Sequence, residues 1–474
     1  MKKNKILVCL IIAISIALTI PSVIYLITNK TVDGFNTYYS YTLEKYTNTF
    51  NGCIQGIIFI GLVIIFSILY VLILKKEKEV FSTKKQIAIF IIIISVLFAV
   101  ILPILSSDIF YYMGDSWLAA KYGENPYYTT VYDLQKNGTN DEILQNTGYW
   151  KNTTSVYGPV WNIISELLVS LSFGKITIAL YIFKIAGLLV HILNCYIIYK
   201  ITKNTKYVLM YGINPLVLVE ALSNVHNDIY LIAMVLIAMY FLLKRKNIWL
   251  AAIFMALSIA IKYSTALLVP FILLYYFKDK PTPKKLLYCF EVGLSIIALV
   301  VIMYLPYFRD ISIYTNMLVQ NERFSQSIMA ILLKKIDKGT FTTINSLRIP
   351  VFMVVYATSL IILLVKKEIK FEEICNKYSI FMLIFIFLVI INFQRWYLMW
   401  LFPTIFWTND YIKKFIITNS ITSMLPIFIY FRVGNDAFKY GMYNSIITII
   451  LSIIICSILC KFIRKKEERE KWNF

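Results

Sequence analysis

Apolar runs of the length of a membrane span alternate with short polar intervals along most of the chain. The first three runs cover about residues 6–27, 52–74 and 87–105, and each is long enough to cross the hydrocarbon core of a bilayer. Later runs are shorter and more often interrupted. They continue from about residue 177 to about residue 460 and include one at about 397–409. The pattern predicts an all-α polytopic membrane protein with about 12–14 transmembrane helices.

The longest polar interval, residues 106–176, predicts one large loop on a single side of the membrane. Within it, the apolar segment 159–173 is short for a span and is interrupted by Glu166, so we expect an interfacial helix there. Because no polar block of the size of a soluble domain occurs, we expect one membrane-embedded domain. Its parts are two N-terminal helices (1–86), a core that contains the loop (87–280) and the C-terminal helices (281–474).

The composition excludes a soluble protein. Hydrophobic residues make up 59% of the chain and charged residues only 15%, whereas a soluble domain has about a quarter charged residues. The net charge of +21 does not indicate nucleic-acid binding, because the lysines and arginines lie in short clusters between apolar runs. This positive-inside pattern places both termini in the cytoplasm and the large loop outside. The abundance of Ile, Lys, Asn and Tyr favours a bacterial plasma membrane protein.

The cysteines and histidines give no sign of a bound cofactor. None of the seven cysteines has metal-ligand spacing, and the chain contains only two histidines. We therefore expect no cofactor, although a divalent metal ion remains compatible with the sequence.

Polar and ionisable residues collect at the predicted outer ends of the helices. Because such groups are costly to place at the edge of the hydrocarbon, they are candidates for function. Asp108 is the candidate general base, and its alternative role is to cap the loop helix that begins near Ile109. The candidates for binding a lipid phosphate are Lys262, Arg395, His226 and Arg323. The candidates for binding a sugar or acceptor are Tyr111, Tyr112, Tyr157, Asn227, Asp228, Gln394 and Trp396.

Each of these candidates also has a structural alternative. Tyrosines and tryptophans form interfacial belts in many membrane proteins, and turn residues satisfy one another. Lysines and arginines at helix ends can extend to the headgroups without binding a ligand.

Three motifs, in this order along the chain, resemble a known family. Residues 108–112 (DIFYY), 120–127 (AKYGENPY) and 157–161 (YGPVW) resemble the first outer loop of GT-C glycosyltransferases. Asn214-Pro215, Glu220 and residues 224–228 (NVHND) resemble a later signature of the same group. The similarity covers roughly residues 90–280 and is closest to the polyprenyl-phosphate-mannose-dependent mannosyltransferases.

The resemblance implies a GT-C membrane bundle, with its site facing outward and a polyprenyl-phosphate sugar as donor. It implies an inverting transfer of a hexose, mannose by family default, to a glycan or lipid hydroxyl, with Asp108 as the base. Membrane lipids are then partners and nucleic acid is not. The loop departs from the family in lacking a paired acidic motif, and Val225 stands where a glycine is expected.

The chemistry of such a transfer agrees with a single acidic residue. The transition state has oxocarbenium character, as in glycosidases. Because the leaving phosphate departs as an anion, no general acid is needed, and one carboxylate can serve as the base.

Two alternatives belong to other functional classes. A transporter or flippase of a lipid-linked saccharide would also have many spans and a basic, aromatic cavity. Transporters tend to have repeated halves with polar residues near the membrane midplane, whereas here the polar residues lie at one face and no repeat is evident. The second alternative is a membrane polymerase or acyltransferase, for which a catalytic histidine or pairs of loop arginines would be expected.

Overall fold

The computed structural model describes residues 2–29, 50–103, 105–139, 141–318, 327–329, 338–425 and 444–471. This part of the chain is helices joined by turns and short loops, and it contains no β-strand. The all-α prediction is therefore confirmed.

The α-helices of the described residues are numbered here in chain order. They are α1 Lys2–Asn29, α2 Phe50–Lys75, α3 Glu77–Val80, α4 Lys84–Val100, α5 Asp108–Tyr122, α6 Val131–Lys136, α7 Glu142–Gln145, α8 Pro159–Ser170, α9 Ile176–Thr202, α10 Thr205–Gly212, α11 Pro215–Val217, α12 Asp228–Tyr240, α13 Ile248–Ile259, α14 Val269–Tyr276, α15 Thr282–Tyr304, α16 Ser312–Leu318, α17 Lys338–Val365, α18 Phe371–Ile384, α19 Phe402–Ile405, α20 Asp410–Thr422 and α21 Asn444–Lys471.

Short helical segments of other types lie between some of these helices. The π-helical ones are Leu218–Ser223, Phe241–Arg245 and Phe385–Val389, and the 3-10 helices are Gly148–Asn152, Tyr263–Leu268, Leu305–Tyr307 and Arg395–Leu401.

Several helices are long and apolar enough to cross a membrane. In the described residues five pass this test alone, and a sixth passes if the bent pair Pro215–Ser223 and Asp228–Arg245 counts as one span. Shorter apolar helices occur at Ile248–Ile259, Tyr263–Tyr276 and Ser445–Ile458. The chain is therefore an integral membrane protein. The count of 12–14 spans stays a prediction.

The first arm of the bent pair begins at a local helix-start signal in the sequence. The Asn214 side chain accepts hydrogen bonds from the backbone N–H groups of Leu216 and Val217, at 3.0 and 3.3 Å, and so caps a new helix. Pro215 has no N–H to donate and fits the first position of that helix. The chain bends by 116° between the two arms. The bend leaves residues 224–227 as a turn inside the bundle rather than as part of a continuous helix.

The start of the large loop packs against this turn through aromatic side chains. Tyr112 on α5 contacts Trp161 on α8, with ring centroids 5.1 Å apart, and Trp161 in turn contacts Phe183 on α9 and Tyr230 on α12. Trp161 is almost fully buried. The loop helix α5 is therefore fixed to the membrane helices by a packed aromatic layer.

Two predicted loop and span segments can be compared with the structure. The segment at 159–173 forms the helix α8, and Leu167, Leu171 and Phe173 are exposed on it or just beyond it. Its position at the membrane interface stays a prediction. Where the sequence predicts a span at about 397–409, the structure instead forms the 3-10 helix Arg395–Leu401 and the single turn α19. This segment is apolar because neighbouring helices bury it, which hydropathy does not distinguish from contact with lipid.

Candidate functional site

Four segments bring the predicted site residues together. They are the N-terminus of α5, the turn 224–228, the turn that ends at Lys262 and the 3-10 helix Arg395–Leu401. Because they come from distant parts of the sequence, only the folded bundle creates the site.

A row of charged and polar groups leads from the surface into the bundle. Asp108 has a side chain that is 17% exposed, and its Oδ2 lies 3.7 Å from Nδ1 of the fully buried His226. The other ring nitrogen, Nε2, lies 3.2 Å from Oε2 of the buried Glu220, at an angle outside hydrogen-bond geometry. The opposite carboxylate oxygen of Glu220 accepts a hydrogen bond from Arg395 Nε. The candidate base is therefore linked to an internal ion pair through one imidazole ring.

Further contacts fix this row of groups in place. Asn224 donates to Glu220 at 2.9 Å, and its carbonyl oxygen accepts from the backbone N–H of Leu105 at 3.2 Å. Arg395 also donates to the Leu105 carbonyl oxygen, at 3.1 Å. The chain just before Asp108 is thus held by residues of the turn and of the 3-10 helix.

A second ion pair lies beside the first. Lys262 Nζ donates to both carboxylate oxygens of the buried Asp228, at 3.0 and 3.3 Å, and Trp400 Nε1 donates to the same carboxylate. The ammonium group also lies over the rings of Tyr397 and Trp400, at 5.0 and 5.3 Å from their centroids. The Lys262 side chain is 14% exposed, whereas that of Asp228 is fully buried. Lys262 is therefore the member of this ion pair that a ligand can reach.

Two tyrosines connect the ion pairs. The buried Tyr112 hydroxyl accepts hydrogen bonds from Tyr157 and from the backbone N–H of Asn227, and it interacts with the carboxylates of both Asp108 and Asp228. Burial raises the pKa of Tyr112 well above its ordinary value, and the two carboxylates raise it further. Burial likewise raises the pKa of Tyr157. Both hydroxyls therefore stay neutral and can serve as hydrogen-bond donors at all physiological pH values.

The turn also contains an amide without a partner. Asn227 is fully buried, and neither its side-chain oxygen nor its nitrogen has a hydrogen-bond partner among the described residues. The hydroxyl of Tyr230, one helical turn further along α12, is unpaired in the same sense. Buried polar atoms without partners call for an explanation, and a hydroxyl-rich ligand would provide one.

The shape of the turn depends on an unusual backbone angle and on a buried lysine. Val225 has φ of +59°, a left-handed conformation that β-branched residues rarely adopt. Lys184 Nζ donates to the carbonyl oxygens of Ile101, Leu222 and Ser223, at 2.6, 3.1 and 2.9 Å. It thus ties the end of α4 to the start of the turn. Lys184 therefore joins the two segments that carry Asp108 and His226, a contact between distant parts of the sequence.

A glycine brings the large loop against Lys262. Gly158 N–H donates to the Ile261 carbonyl oxygen at 3.1 Å, and Val160 N–H donates to the Ala260 carbonyl oxygen at 3.0 Å. A Cβ at position 158 would lie 2.1 Å from the Ala260 oxygen, so only glycine allows this approach. Tyr157 is thereby placed beside Lys262.

A small, partly open cavity of about 50 Å³ lies next to these residues. Polar and aromatic groups line one part, and aliphatic or phenyl side chains line another, a lining that suits the junction between a polar head and an apolar tail. The lining residues are Val156, Tyr157, Lys262, Tyr263, Ser264, Phe385, Ile390, Ile391, Asn392, Tyr397 and Trp400.

The remaining predicted residues take different places. The Trp396 ring stacks on His226 with a centroid distance of 3.8 Å. Tyr111 donates to the Thr154 carbonyl oxygen at 2.9 Å, and Gln394 donates to the Asn392 side chain at 2.9 Å. Arg323 lies outside the described residues. The roles of all these residues in binding stay predictions.

Asp115, a second carboxylate on α5, is buried. Its Oδ1 has no hydrogen-bond partner among the described residues. Burial raises its pKa to about 8, although a hydrogen bond from Ser155 opposes the shift. Asp115 is therefore a neutral acid below that pH. Within the described ranges, no group of three or more His, Cys, Asp or Glu side chains is arranged to hold a metal ion.

Comparison with known proteins gives a consistent result. The family model for alpha-(1->6)-mannopyranosyltransferase, N-terminal domain, matches residues 10–278, which is more than half of the chain. Alpha-(1->6)-mannopyranosyltransferase A of Corynebacterium glutamicum is 22% identical over 160 residues, 30% of this chain. The match covers 32% of that relative's length. No solved structure matches the chain.

Proposed function

The chain belongs to the alpha-(1->6)-mannopyranosyltransferase family, and we propose that it transfers mannose from a polyprenyl-phosphate donor to an acceptor hydroxyl with inversion. The site would face the extracytoplasmic side of a bacterial plasma membrane, with both termini in the cytoplasm. The acceptor would be a glycan or a glycolipid.

One observation carries this proposal. Asp108, a partly exposed carboxylate, and Lys262, a partly exposed ammonium, belong to one cluster, because Tyr112 interacts with Asp108 and with Asp228, the ion-pair partner of Lys262. Lys262 and Tyr157 also line the cavity. A base and a phosphate-binding cation at one site are the two groups that this transfer requires.

The bonds change as follows in the proposed reaction. Asp108 takes the proton of the acceptor hydroxyl as that oxygen attacks the anomeric carbon. The bond from this carbon to the phosphate oxygen breaks at the same time, and its electron pair leaves with the polyprenyl phosphate. Positive charge builds up on the sugar ring in the transition state, where the nearby carboxylate of Asp108 stabilises it.

Lys262 is the phosphate ligand that we propose among the predicted cations in the described part of the chain. It reaches the cavity, whereas Arg395 is buried in contacts with Glu220 and Leu105, and His226 is enclosed between Asp108 and Glu220. Arg395 and His226 would then not contact the phosphate directly. They would contribute through their charge and by positioning Glu220 and Asp108, which they contact. The pairing of Lys262 with Asp228 holds the ammonium in place before the donor binds.

The sugar would lie against Tyr157, which lines the cavity, close to the turn. The unpaired amide of Asn227 can both donate to and accept from sugar hydroxyls. Tyr112 and Tyr157 offer ring surfaces as well as hydroxyl groups. The aliphatic and phenyl side chains that line the cavity, among them Phe385 and Ile390, would contact the first units of the polyprenyl chain.

A donor panel tests the proposal. The purified protein in lipid vesicles is given radiolabelled mannose on polyprenyl phosphate, glucose on polyprenyl phosphate or a nucleotide-activated mannose, each with an extract of glycan and glycolipid acceptors. We expect transfer from the polyprenyl-phosphate mannose with inverted configuration in the product. Transfer from the nucleotide sugar alone would contradict the proposal. So would movement of labelled lipid across the bilayer without transfer, which would indicate a flippase.

A further inference from the structure

The groups on the buried side of Asp108 determine which atoms of the site carry protons. Three nitrogen atoms surround the carboxylate of Glu220, namely Arg395 Nε, Asn224 Nδ2 at 2.9 Å and His226 Nε2 at 3.2 Å. The guanidinium compensates the charge of the carboxylate, and an ionised carboxylate can only accept hydrogen bonds. Although the His226–Glu220 contact lies outside hydrogen-bond geometry, a hydrogen on this ring nitrogen avoids placing its lone pair 3.2 Å from a negative oxygen.

The charge of His226 then depends on its other nitrogen. Nδ1 lies 3.7 Å from Oδ2 of Asp108. If neither atom carried a hydrogen, a lone pair would face a negative oxygen in a buried place, which is unfavourable. One proton must therefore be shared between them. At 3.7 Å the two atoms are too far apart for a hydrogen bond, whereas an imidazolium and a carboxylate attract each other at this distance.

We propose that His226 is a positioning residue for Asp108, which carries the shared proton and so keeps Asp108 ionised and correctly oriented as the base. This inference rests on the proposed function. Without the imidazolium, Asp108 would lose the neighbouring cation that favours its charged form and that fixes the orientation of its carboxylate. During transfer, Asp108 receives the acceptor proton and releases it to water on its exposed side, while His226 retains its own.

Two ion pairs next to the Asp108–His226 pair compensate their own charges. Glu220 pairs with Arg395, and Asp228 pairs with Lys262. The tyrosine hydroxyls beside Asp108 are neutral, and Lys184 donates to backbone carbonyl oxygens of the same turn. The titratable groups that face the Asp108–His226 pair are Tyr112 and Tyr157, which interact with Asp108, and Glu220, which lies against His226; the charged groups Arg395, Asp228, Lys262 and Lys184 lie in the neighbouring contacts.

The stacked indole of Trp396 gives a readout that does not require transfer. An imidazolium in contact with an indole quenches its fluorescence more strongly than a neutral imidazole does, and the two rings lie 3.8 Å apart. A pH titration of the wild type should therefore show a fluorescence step that is absent from both Trp396→Phe and His226→Gln. In Asp108→Asn the step should move to lower pH by about one unit, since the imidazolium loses its anion. A step that does not move overturns the proposal.

The pH dependence of transfer separates positioning from a structural role. In His226→Gln, the acid limb of the kcat/KM profile should move up by about one pH unit, so that activity partly returns in alkaline buffer. The matched control is His191→Gln, which changes the other histidine of the chain; this residue is buried against Tyr211 and lies near the Gly212 carbonyl oxygen. The control should leave the limb in place.

Equal losses at every pH in His226→Gln would show a purely structural role and would contradict the proposal. Rates are compared per folded protein, measured by thermal unfolding of each variant. If the wild type transfers from no donor, the proposed function fails, and the fluorescence titration still decides whether Asp108 and His226 share a proton.

Discussion

Val225 allows the backbone strain at the site to be measured. It has φ of +59° and is almost fully buried. A left-handed conformation costs an L-residue roughly 1–2 kcal/mol compared with glycine. Replacement by alanine keeps this strain and removes two buried methyl groups, worth about 1.6 kcal/mol. Replacement by glycine removes the Cβ as well but releases the strain.

Val217 is the matched control for this measurement. It is also fully buried, but its φ of −61° lies in the right-handed region. Replacing it with glycine therefore releases no backbone strain. The burial of Cβ and the extra freedom of glycine in the unfolded chain enter both comparisons and cancel. The stability difference between the glycine and alanine variants should therefore shift by about 1–2 kcal/mol in favour of glycine at position 225.

The assay is thermal unfolding of the four single variants in one detergent, followed by tryptophan fluorescence. Apparent midpoints are converted to free-energy differences with the unfolding enthalpy of the wild type. The same glycine–alanine difference at both positions would refute the reasoning. A larger penalty for glycine at position 225 would refute it more strongly.

Three further predictions follow from contacts at the site. Lys262→Met should raise the KM for the donor and lower stability, because it leaves Asp228 buried and unpaired; adding Asp228→Asn should restore stability, measured by thermal unfolding, without restoring the KM. Gly158→Ala should lower the unfolding midpoint far more than Gly123→Ala, since an added Cβ meets a carbonyl oxygen at 2.1 Å in the first case and open space in the second; equal effects would contradict this. Burial raises the pKa of Asp115 to about 8, so the folded protein binds one more proton than the unfolded chain between about pH 4 and pH 8, and stability should fall as pH rises through that window. Unfolding midpoints of Asp115→Asn should depend less on pH there, and a parallel dependence would contradict the assignment.

Much of the fold could be predicted from local patterns. The hydropathy runs predicted the helical membrane class, and Asp108 at the end of an apolar run predicted the start of the loop helix that the structure shows as α5. Asn214 followed by Pro215 is a local helix-start signal, and the structure begins α11 there, because proline and a capping asparagine act on adjacent residues. Each of these inferences depends on neighbours in the sequence.

The partners within the site could not be predicted in the same way. Glu220 and Arg395 are 175 residues apart, and sequence spacing gives no distance between groups on different helices. The same holds for Lys184, whose three carbonyl partners come from two other segments. Burial of residues 395–402 by neighbouring helices also made an internal segment look like a span.

The central claim is that Asp108 is the base of a mannosyl transfer from a polyprenyl-phosphate donor. The most direct test compares Asp108→Asn with Asp115→Asn, two changes of the same kind on one helix, at saturating donor and acceptor. We expect the transfer rate of the first variant to fall by about two to four orders of magnitude and the second variant to keep most of its rate. Thermal unfolding checks that both variants are folded. Equal transfer by Asp108→Asn and the wild type would contradict the claim.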